Sequence, residues 1–396
     1  MLSERARNIT PSATTSLTAI VQDLKAQGVP VIGLNVGEPD FDTPAHIVAA
    51  ANKALAEGKT KYAKDSGIQP LREAISKKLK NDNGLNYTAD QIVVTTGAKQ
   101  AVYEALQVLV DKGDEVIIPT PCWVSYTEMV KLADGVPVFV KTQPGTFQLD
   151  VAAIEAALTE KTKALILTSP NNPTGAVYTE EALRALGKLA VEHDFYVISD
   201  EVYEKLLYNG KKHMSIATLS PEVYEHTITI NGFSKAYSMT GWRLGYLAAP
   251  LEIAKAAGRL QGHMTSNATT FVQWAAISAL EGPQEDLEIM RKEFDRRRIW
   301  LQDALSKIPG ISCAGADGAF YLMPNVSAYY GKTAPDGSVI RDSGDFCNYI
   351  LKTAHVAIVP GKAFESPEEV RISYSNSMEN IQEAVRRIAE ALTKLK

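Results

Sequence analysis

Apolar positions follow two alternating periods through the first 250 residues of the chain. Short apolar runs at 92–94, 115–119 and 164–168 predict buried strands. Between them, stretches such as 101–110 and 180–193 place apolar residues at helical spacing. The other strands expected in the same sheet, which make seven in all, are 136–140, 195–199, 227–230 and 245–249. This alternation predicts an α/β fold in which a mostly parallel seven-stranded sheet lies between helices.

The pattern changes after Pro250 and predicts a second, α+β unit. Helical spacing covers 251–280, 285–306, 345–355 and 378–395, and the strands are expected at 320–323, 356–359 and 370–374. We expect this unit to fold back onto the N-terminal segment, whose predicted helix spans 16–27. The predicted organisation is an N-terminal arm at 1–15, a small α+β domain at 16–45 and 290–396, and a large α/β domain at 46–289.

Bulk properties exclude several functional classes. A chain of 396 residues with 45% hydrophobic and 22% charged residues is typical of a globular protein of about two domains. The net charge of −5 gives no basic surface for nucleic acid. No apolar run is long enough for a membrane span, and the N-terminus has no signal-peptide pattern. The three cysteines are few and scattered, which is typical of a reducing compartment, so we expect a cytoplasmic protein. They have no metal-ligand spacing, so we expect no metal.

Polar and small residues follow the predicted strands at the places where parallel sheets bind ligands. Ligands of such sheets lie at the carboxyl ends of the strands. Gly97, Ala98 and Lys99 lead from one strand directly into a helix, a turn that can bind an anion through backbone N–H groups. Asn172 and Asp200 follow two further strands. The sequence therefore predicts one ligand site at this edge.

Lys235 and Arg243 both follow the predicted strand at 227–230, in a spacing that suits one chemistry. A lysine at a strand end can form a Schiff base with an aldehyde cofactor, and an arginine eight residues later can hold the phosphate of that cofactor with two hydrogen bonds. Lys235 could equally be a surface lysine in a loop.

Five other residues could complete such a site. Asp200 could pair with a protonated pyridine nitrogen, and Tyr203 and Asn172 could reach the oxygen of the same ring. Trp123 could stack on a flat cofactor or simply pack in the core. Arg371 lies in an apolar strand and needs an anionic partner, which could be a substrate carboxylate or a structural salt bridge.

Taken together, the motifs of the chain resemble those of the class I aminotransferases among the fold-type I pyridoxal-phosphate enzymes. The resemblance runs from Pro11 to Arg371 and is most similar to the subgroup Iβ aspartate aminotransferases of bacteria, some of which also use prephenate. Its motifs are GEPDFDTP at 37–44, KTKYA at 59–63, SPNNPTG at 169–175, SDEVYE at 199–204 and SKAYSMTGWRLGY at 234–246.

The resemblance implies a role for twelve residues. Those implied to hold pyridoxal 5′-phosphate are Lys235 through a Schiff base, Asp200 at the ring nitrogen, Tyr203 and Asn172 at the 3′-oxygen, Trp123 by stacking, and Ala98, Lys99, Ser234 and Arg243 at the phosphate. Tyr62 is implied to reach the phosphate in a neighbouring subunit. Those implied to contact the substrate are Gly37, Trp123, Asn172 and Arg371, the last at the α-carboxylate, with Lys99 as the candidate for the distal carboxylate.

The reaction that this resemblance implies is transfer of the amino group of L-aspartate to 2-oxoglutarate, with ping-pong kinetics and a homodimer with shared sites. Use of prephenate as acceptor stays open, because Thr10 stands where some relatives have a lysine. A Cβ-eliminating enzyme on the same scaffold is a second alternative. A ligand-sensing domain of a transcription regulator is a third, which the short N-terminal segment without a basic helix-turn-helix pattern disfavours.

Overall fold

The computed structural model describes residues 2–396 and their secondary structure. In chain order the α-helices are α1 Glu4–Asn8, α2 Ala13–Ala26, α3 Ala45–Ala56, α4 Gln69–Asn83, α5 Ala98–Leu109, α6 Ser125–Leu132, α7 Val151–Ala156, α8 Glu180–Glu192, α9 Pro221–Glu225, α10 Leu251–Met264, α11 Thr270–Glu281, α12 Glu285–Ser306, α13 Ser343–Ala354 and α14 Met378–Leu392. The strands are β1 Ile32–Gly33, β2 Ile92–Thr95, β3 Glu115–Thr120, β4 Val136–Lys141, β5 Thr162–Thr168, β6 Tyr196–Asp200, β7 Thr227–Gly232, β8 Gly245–Ala248, β9 Tyr321–Leu322, β10 Val356–Ala357, β11 Val359–Pro360 and β12 Val370–Ser373.

A seven-stranded sheet forms the centre of the fold, with strand order β2-β8-β7-β6-β5-β3-β4. Strands β4, β3, β5, β6 and β7 pair in parallel, and β8 is antiparallel to both of its neighbours. Strands β2 and β7 are buried along their whole length, as expected for strands of a sheet that is covered on both faces. The predicted fold class is confirmed.

Parallel pairing brings the ends of four strands to one edge of this sheet. Asp200 ends β6 and is the register partner of Ile230 in β7, two residues before that strand ends. Thr168 at the end of β5 is the register partner of Asp200. The loops that follow β3, β5 and β7 carry Trp123, Asn172 and Lys235, so polar side chains converge where the sequence predicted them.

A second unit packs beside the large sheet and is built around a three-stranded antiparallel sheet, β11-β12-β9. Phe294, Phe320 and Phe346 are fully buried in its core, together with apolar residues of α12, α13 and α14. The same core includes Tyr203 and Leu206, which follow strand β6 of the large sheet. Hydrophobic contacts therefore run continuously across the expected domain boundary, and the division at 45 and 290, like the arm at 1–15, stays a prediction.

The helices pack against these sheets with one apolar face. Helix α14 buries Ile381, Val385 and Ile388 at helical spacing, and the hydroxyl of Ser377 accepts a hydrogen bond from the Asn380 N–H at its start. The side chain of Thr179 caps α8 in the same way. Among residues 2–396, no helix has both the length and the apolar character to cross a bilayer.

The helical pattern predicted over 251–280 is interrupted in the structure, because the chain breaks between α10 and α11. Ser266 takes a positive φ of 59°, and Thr265 ends α10. The side chain of Asn267 accepts a hydrogen bond from the Ala63 N–H and donates to the Ala268 carbonyl. Ser, Asn and Thr side chains compete with the helix for backbone groups in this way, so five polar positions outweigh the apolar periodicity around them.

Two further boundaries differ from the predicted ones. The strand predicted over 356–359 is divided, since β10 pairs in parallel with β1 whereas β11 pairs with β12 in another sheet. Helix α5 begins at Ala98 instead of residue 101, directly after Gly97 with its φ of 83°. The earlier start places the backbone N–H groups of Ala98 and Lys99 in the first helical turn, where no carbonyl of the same helix can reach them.

Candidate active site

Eleven of the twelve residues expected at a site line one cavity of about 470 Å³ between the sheet edge and the second unit. They are Gly37, Ala98, Lys99, Trp123, Asn172, Asp200, Tyr203, Ser234, Lys235, Arg243 and Arg371. The exception is Tyr62, which is 91% exposed on the surface of the chain.

One end of the cavity is shaped to hold an anion. Arg243 follows the turn after Lys235, and its Nη1 donates to the Thr240 carbonyl at 2.9 Å. Its Nη2 lies so close to Gly97 that a Cβ there would be 2.5 Å away. The guanidinium thus lies against the start of α5, where the helix dipole and the free N–H groups also attract negative charge. Ser234 lines the same cavity.

Asp200 is a buried carboxylate held by a tyrosine that the sequence did not single out. The hydroxyl of Tyr126 donates to Asp200 Oδ2 at 2.7 Å and lies 2.7 Å from the hydroxyl of Thr168. Burial raises the pKa of Asp200 to about 6, although the hydrogen bond from Tyr126 acts in the opposite direction. A nearby cation would favour the ionised form and lower that pKa again.

Lys235 directs its amine into the cavity from the turn after β7. Its Nζ donates to the Gly37 carbonyl at 2.5 Å and lies 5.9 Å from the ring of Tyr203. Burial lowers the pKa of Lys235 to about 8, and the carboxylate of Glu38 opposes the shift. A lysine with such a pKa has a substantial neutral fraction near pH 8, and the neutral amine is the form that attacks an aldehyde or accepts a proton.

Arg371 is 2% exposed and its guanidinium is oriented by several groups before any ligand binds. Its Nη1 donates to Asn172 Oδ1 at 3.1 Å and its Nη2 to the Asn35 carbonyl at 2.7 Å. The guanidinium carbon lies 4.6 Å from the ring of Tyr321 and 5.0 Å from that of Phe364. The Nε atom has no hydrogen-bond partner among the described residues, which leaves it available to a carboxylate.

Tyr203 and Tyr321 join the two halves of the cavity. Their hydroxyl oxygens are 2.9 Å apart, and both side chains are buried. Asn172 uses its amide oxygen for Arg371, so its amide nitrogen is the group that remains for a ligand. Tyr203 and Asn172 thus each offer the cavity a group that can donate a hydrogen bond.

Lys99 and Trp123 lie together at another part of the cavity. The Lys99 amine is 4.9 Å from the ring of Trp123, within the range of a cation–π interaction. Burial lowers the pKa of Lys99, and the charge of Arg243 acts in the same direction. Lys99 and Arg371 therefore add two cations to the cavity, besides Lys235 and Arg243.

Tyr62 lies outside this cavity, in a shallow groove on the surface. The groove is lined by Lys59, Lys61, Lys64, Arg72 and Trp274, among others, and Lys59 Nζ lies 4.6 Å from the Trp274 ring. In a single chain Tyr62 contributes nothing to the cavity, and its role toward a neighbouring subunit stays a prediction.

Sequence reasoning missed Tyr126, Tyr321 and Asn35. Tyr126 lies within helix α6 and Tyr321 within strand β9, where tyrosine is ordinary. Asn35 acts through its backbone carbonyl, which any residue has. One local signal could have pointed to Tyr126. It lies three residues after Trp123 in a helical pattern, and this spacing places the two side chains next to each other.

Glu201, Glu204 and His213 place their ligand atoms within 4.8 Å of one another, as a metal site requires. Glu201 Oε1 accepts from the hydroxyls of Ser199 and Ser215, and its Oε2 lies 2.8 Å from His213 Nε2. Both oxygens of Glu204 are likewise hydrogen-bonded, to Lys78 and Asn83. Every carboxylate oxygen of the cluster already has a hydrogen-bond partner in the protein. The cluster therefore stabilises the loop between Asp200 and Tyr203 and does not require a metal ion.

Comparison with known proteins agrees with the motifs and the geometry. The family described as "Aminotransferase class I and II" matches residues 29–388. "Aspartate aminotransferase" of Bacillus subtilis (strain 168) is 48% identical over 394 residues, which is 99% of each chain. "Probable aspartate/prephenate aminotransferase" of Aquifex aeolicus (strain VF5) is 45% identical over 398 residues, 100% of this chain and 99% of that protein.

A solved structure gives the same result. Aspartate aminotransferase from Thermus thermophilus with maleate has a TM-score of 0.93 and 44% identity, and the match covers 99% of each chain. The resemblance inferred from the motifs is confirmed. By sequence and by fold, this chain belongs to the class I and II aminotransferase family.

Proposed function

We propose that this aminotransferase uses pyridoxal 5′-phosphate to transfer the amino group of L-aspartate to 2-oxoglutarate, forming oxaloacetate and L-glutamate. The observation that carries the proposal is the presence of Lys235, Asp200 and Arg371 on the wall of one cavity. They supply an amine, an acid and a carboxylate-binding fork, which are the groups that this chemistry needs.

The donors in the cavity fit the cofactor part by part. Its phosphate suits Arg243, Ser234 and the N–H groups at the start of α5, where Gly97 keeps the backbone within reach. Its ring nitrogen suits the buried carboxylate of Asp200, and its 3′-oxygen suits Tyr203 and Asn172. Trp123 offers a flat aromatic face at the same cavity. These groups would hold the cofactor.

Each catalytic side chain would contribute one step to the chemistry. When bound, pyridoxal phosphate supplies an aldehyde that takes up the amino group and a cationic ring that accepts electrons. Asp200 would keep the ring nitrogen protonated. The Lys235 amine, which donates a hydrogen bond to the Gly37 carbonyl, would take the proton from the substrate Cα and hold it for return. The second oxo acid would meet the same groups, so we expect ping-pong kinetics.

Arg371 and Lys99, the two cationic side chains that are not assigned to the cofactor, support a dicarboxylic substrate. Arg371 would bind the α-carboxylate with two parallel hydrogen bonds, and Lys99 would bind the distal carboxylate. The relative from Thermus thermophilus was solved with maleate, itself a dicarboxylate, and the relative from Bacillus subtilis is named for aspartate. Both names support aspartate as the amino donor here.

Prephenate is a second candidate for the acceptor, because the relative from Aquifex aeolicus is named for aspartate and prephenate. Thr10 stands where some relatives have a lysine, and its N–H donates to Glu128 Oε2 at 3.1 Å. Thr10 does not line the cavity. Turnover of prephenate and of 2-oxoglutarate by one purified preparation, with aspartate as donor, distinguishes the two acceptors.

The exposure of Tyr62 supports a homodimer in which each cavity is completed by the other chain. A tyrosine that is 91% exposed beside several lysines is unusual for a monomer surface, since large aromatic side chains favour interfaces. In the proposed dimer, its hydroxyl would donate to the cofactor phosphate of the neighbouring subunit.

An absorbance spectrum of the purified protein tests the proposal directly. The protein with pyridoxal phosphate should absorb visible light, and aspartate alone should bleach this absorbance while one equivalent of oxaloacetate forms per site. Lys235→Ala should bind cofactor but lose the reaction by at least about a thousandfold, since the amine is both nucleophile and base. Lys255→Ala, which changes a surface lysine paired with Glu252, is the control. Normal turnover by Lys235→Ala would exclude the proposed role of Lys235.

A further inference from the structure

Tyr321 contacts the cofactor half and the substrate half of the cavity at once. We propose that Tyr321 is a positioning residue, which orients Tyr203 through its hydroxyl group and Arg371 through its ring. The inference rests on the proposed function, because it concerns the groups that would hold the cofactor oxygen and the substrate carboxylate.

The hydroxyl group of Tyr321 determines where Tyr203 can point its proton. The two hydroxyl oxygens are 2.9 Å apart, and the side chains are 1% and 3% exposed, so water cannot replace the contact. Each tyrosine hydroxyl carries one proton. When Tyr203 donates into the cavity, the proton between the two oxygens must come from Tyr321. A hydroxyl that accepts a hydrogen bond donates a stronger one, so Tyr321 also strengthens Tyr203 as a donor.

The ring of Tyr321 acts on Arg371. The guanidinium carbon lies 4.6 Å from the ring centre, the shorter of its two aromatic contacts. Cation–π attraction and the hydrogen bonds to Asn35 and Asn172 together restrict rotation of the guanidinium. A guanidinium group whose rotation is already restricted loses little conformational entropy when a carboxylate binds to it.

The same side chain also packs against Gly37. A Cβ on Gly37 would lie 2.3 Å from the Tyr321 oxygen, so the hydroxyl lies directly on the glycine backbone. The carbonyl of Gly37 is the group that accepts the hydrogen bond from Lys235. Tyr321 therefore contacts Gly37, which supports Lys235, and also Tyr203 and Arg371, which would bind the cofactor oxygen and the substrate carboxylate.

Tyr321→Phe isolates the hydroxyl group, because it keeps the ring. Loss of the donated hydrogen bond weakens Tyr203 toward the cofactor oxygen, so the protonated form of the bound cofactor should persist to higher pH. We expect the midpoint of a pH titration of cofactor absorbance, without substrate, to rise by about 0.5 to 1 pH unit. Maleate, used as the carboxylate probe, should bind within about twofold of wild type because the cation–π contact remains. An unchanged or lowered midpoint would refute the role of the hydroxyl.

Tyr321→Leu isolates the ring and should weaken maleate binding by about tenfold beyond Tyr321→Phe. The KM for aspartate should rise with it, while kcat falls no further than in Tyr321→Phe. Maleate affinity equal to that of Tyr321→Phe would refute the role of the ring. Maleate binding is measured from the change in cofactor absorbance or by calorimetry on the holoenzyme.

Tyr374→Phe is the matched control, because its hydroxyl is equally buried and donates to the Ala319 carbonyl in the same core, outside the cavity. It should leave both the midpoint and the maleate affinity at wild-type values. A shift equal to that of Tyr321→Phe would attribute the effect to general packing and overturn the proposal. A wild-type protein without any pH-dependent cofactor absorbance would instead refute the proposed function itself.

Discussion

Burial changes the protonation of the two central residues of the cavity in complementary ways. The pKa of Asp200 is raised to about 6 and that of Lys235 is lowered to about 8, so each shift favours the neutral form in the ligand-free chain. A cationic ring beside Asp200 would restore its charge. A neutral fraction of Lys235, by contrast, is what its proposed role requires.

Tyr126→Phe tests how the protein holds Asp200. Removal of the hydroxyl that donates to Asp200 at 2.7 Å should raise the pKa of the carboxyl group further and weaken its pairing with a ring nitrogen. We expect the affinity for pyridoxal phosphate near neutral pH to fall roughly fivefold to tenfold, as measured by equilibrium dialysis. Tyr87→Phe, which removes a buried hydroxyl bonded to Thr229, should keep the wild-type affinity. Equal affinities in both variants would contradict the prediction.

Helix α5 is the element on which the anion end of the cavity depends. Gly97 precedes its first residue with a φ of 83°, and the guanidinium of Arg243 occupies the space where a side chain of residue 97 would be. Strand β8 approaches the same turn so closely that a Cβ on Gly245 would lie 2.3 Å from the Ala98 nitrogen. The position of the first N–H groups of α5 is therefore set by close packing of backbone on backbone.

Gly97→Ala should separate backbone strain from loss of the anion site. Gly113 has a similar φ of 91° but open space around it, so both substitutions by alanine should destabilise the fold by about 1 to 2 kcal/mol. Only Gly97→Ala should also displace Arg243 and reduce cofactor affinity, by about tenfold or more. Thermal unfolding of the apoprotein and a cofactor titration measure the two effects. A matching loss of affinity in Gly113→Ala would show that strain alone is responsible.

The opposite face of α5 predicts a dependence of stability on pH. Glu104 is fully buried, its Oε2 has no hydrogen-bond partner among the described residues, and burial raises its pKa to about 7 from an ordinary 4.5. Between these values the folded state binds the proton more tightly than the unfolded state, so this carboxyl group lowers stability as the pH rises.

Glu104→Gln should remove this contribution. The free energy of unfolding at pH 8 should rise by about 1 to 3 kcal/mol relative to wild type, with little difference below about pH 4.5. Urea unfolding at several pH values measures it, and exposed Glu155→Gln serves as the control. A constant difference between Glu104→Gln and wild type across that range would rule out titration of Glu104.

Some residues of the cavity could be predicted from the sequence, and others could not. Lys235, Asp200 and Asn172 could be placed because each directly follows an apolar strand, and parallel strands bring their ends together. Tyr321 could not, because its partner Tyr203 lies 118 positions away and no local pattern marks the pair. The spacing of Tyr126 from Trp123 is a local signal, but it does not reveal the partner Asp200, which lies 74 positions away. The break after α10 was missed because it depends on a hydrogen bond that Asn267 accepts from the Ala63 N–H, in a loop 204 positions away.

At the scale of the whole molecule, the cavity exists because three distant segments meet. The bond from Lys235 to the Gly37 carbonyl joins residues 198 positions apart, and that from Arg371 to the Asn35 carbonyl joins residues 336 positions apart. The N-terminal segment, the large sheet and the C-terminal unit each supply one wall. Tyr62 lies on the outside of the chain. In the proposed dimer, it would form a fourth wall of the cavity of the second chain.

Mixing two defective variants tests this sharing. Tyr62→Ala should impair phosphate binding in the partner's site, and Lys235→Ala should inactivate its own site. In a hybrid dimer one cavity combines the intact Lys235 of one chain with the intact Tyr62 of the other. Unfolding and refolding the mixture should therefore restore about one quarter of the wild-type sites at limiting cofactor. Activity equal to the average of the separate variants would contradict a shared site.

Arg371 has one more consequence for the molecule. Its hydrogen bonds within residues 2–396 go to an amide and a carbonyl and not to a carboxylate, so its charge is removed from water without an anion to balance it. Such a charge is unfavourable in the empty protein, and a bound acid relieves the penalty. Binding of an acid to Arg371 and the resistance of the protein to denaturation are therefore linked. Without a bound acid the folded protein should therefore resist denaturation less, and a dicarboxylate should raise its unfolding temperature.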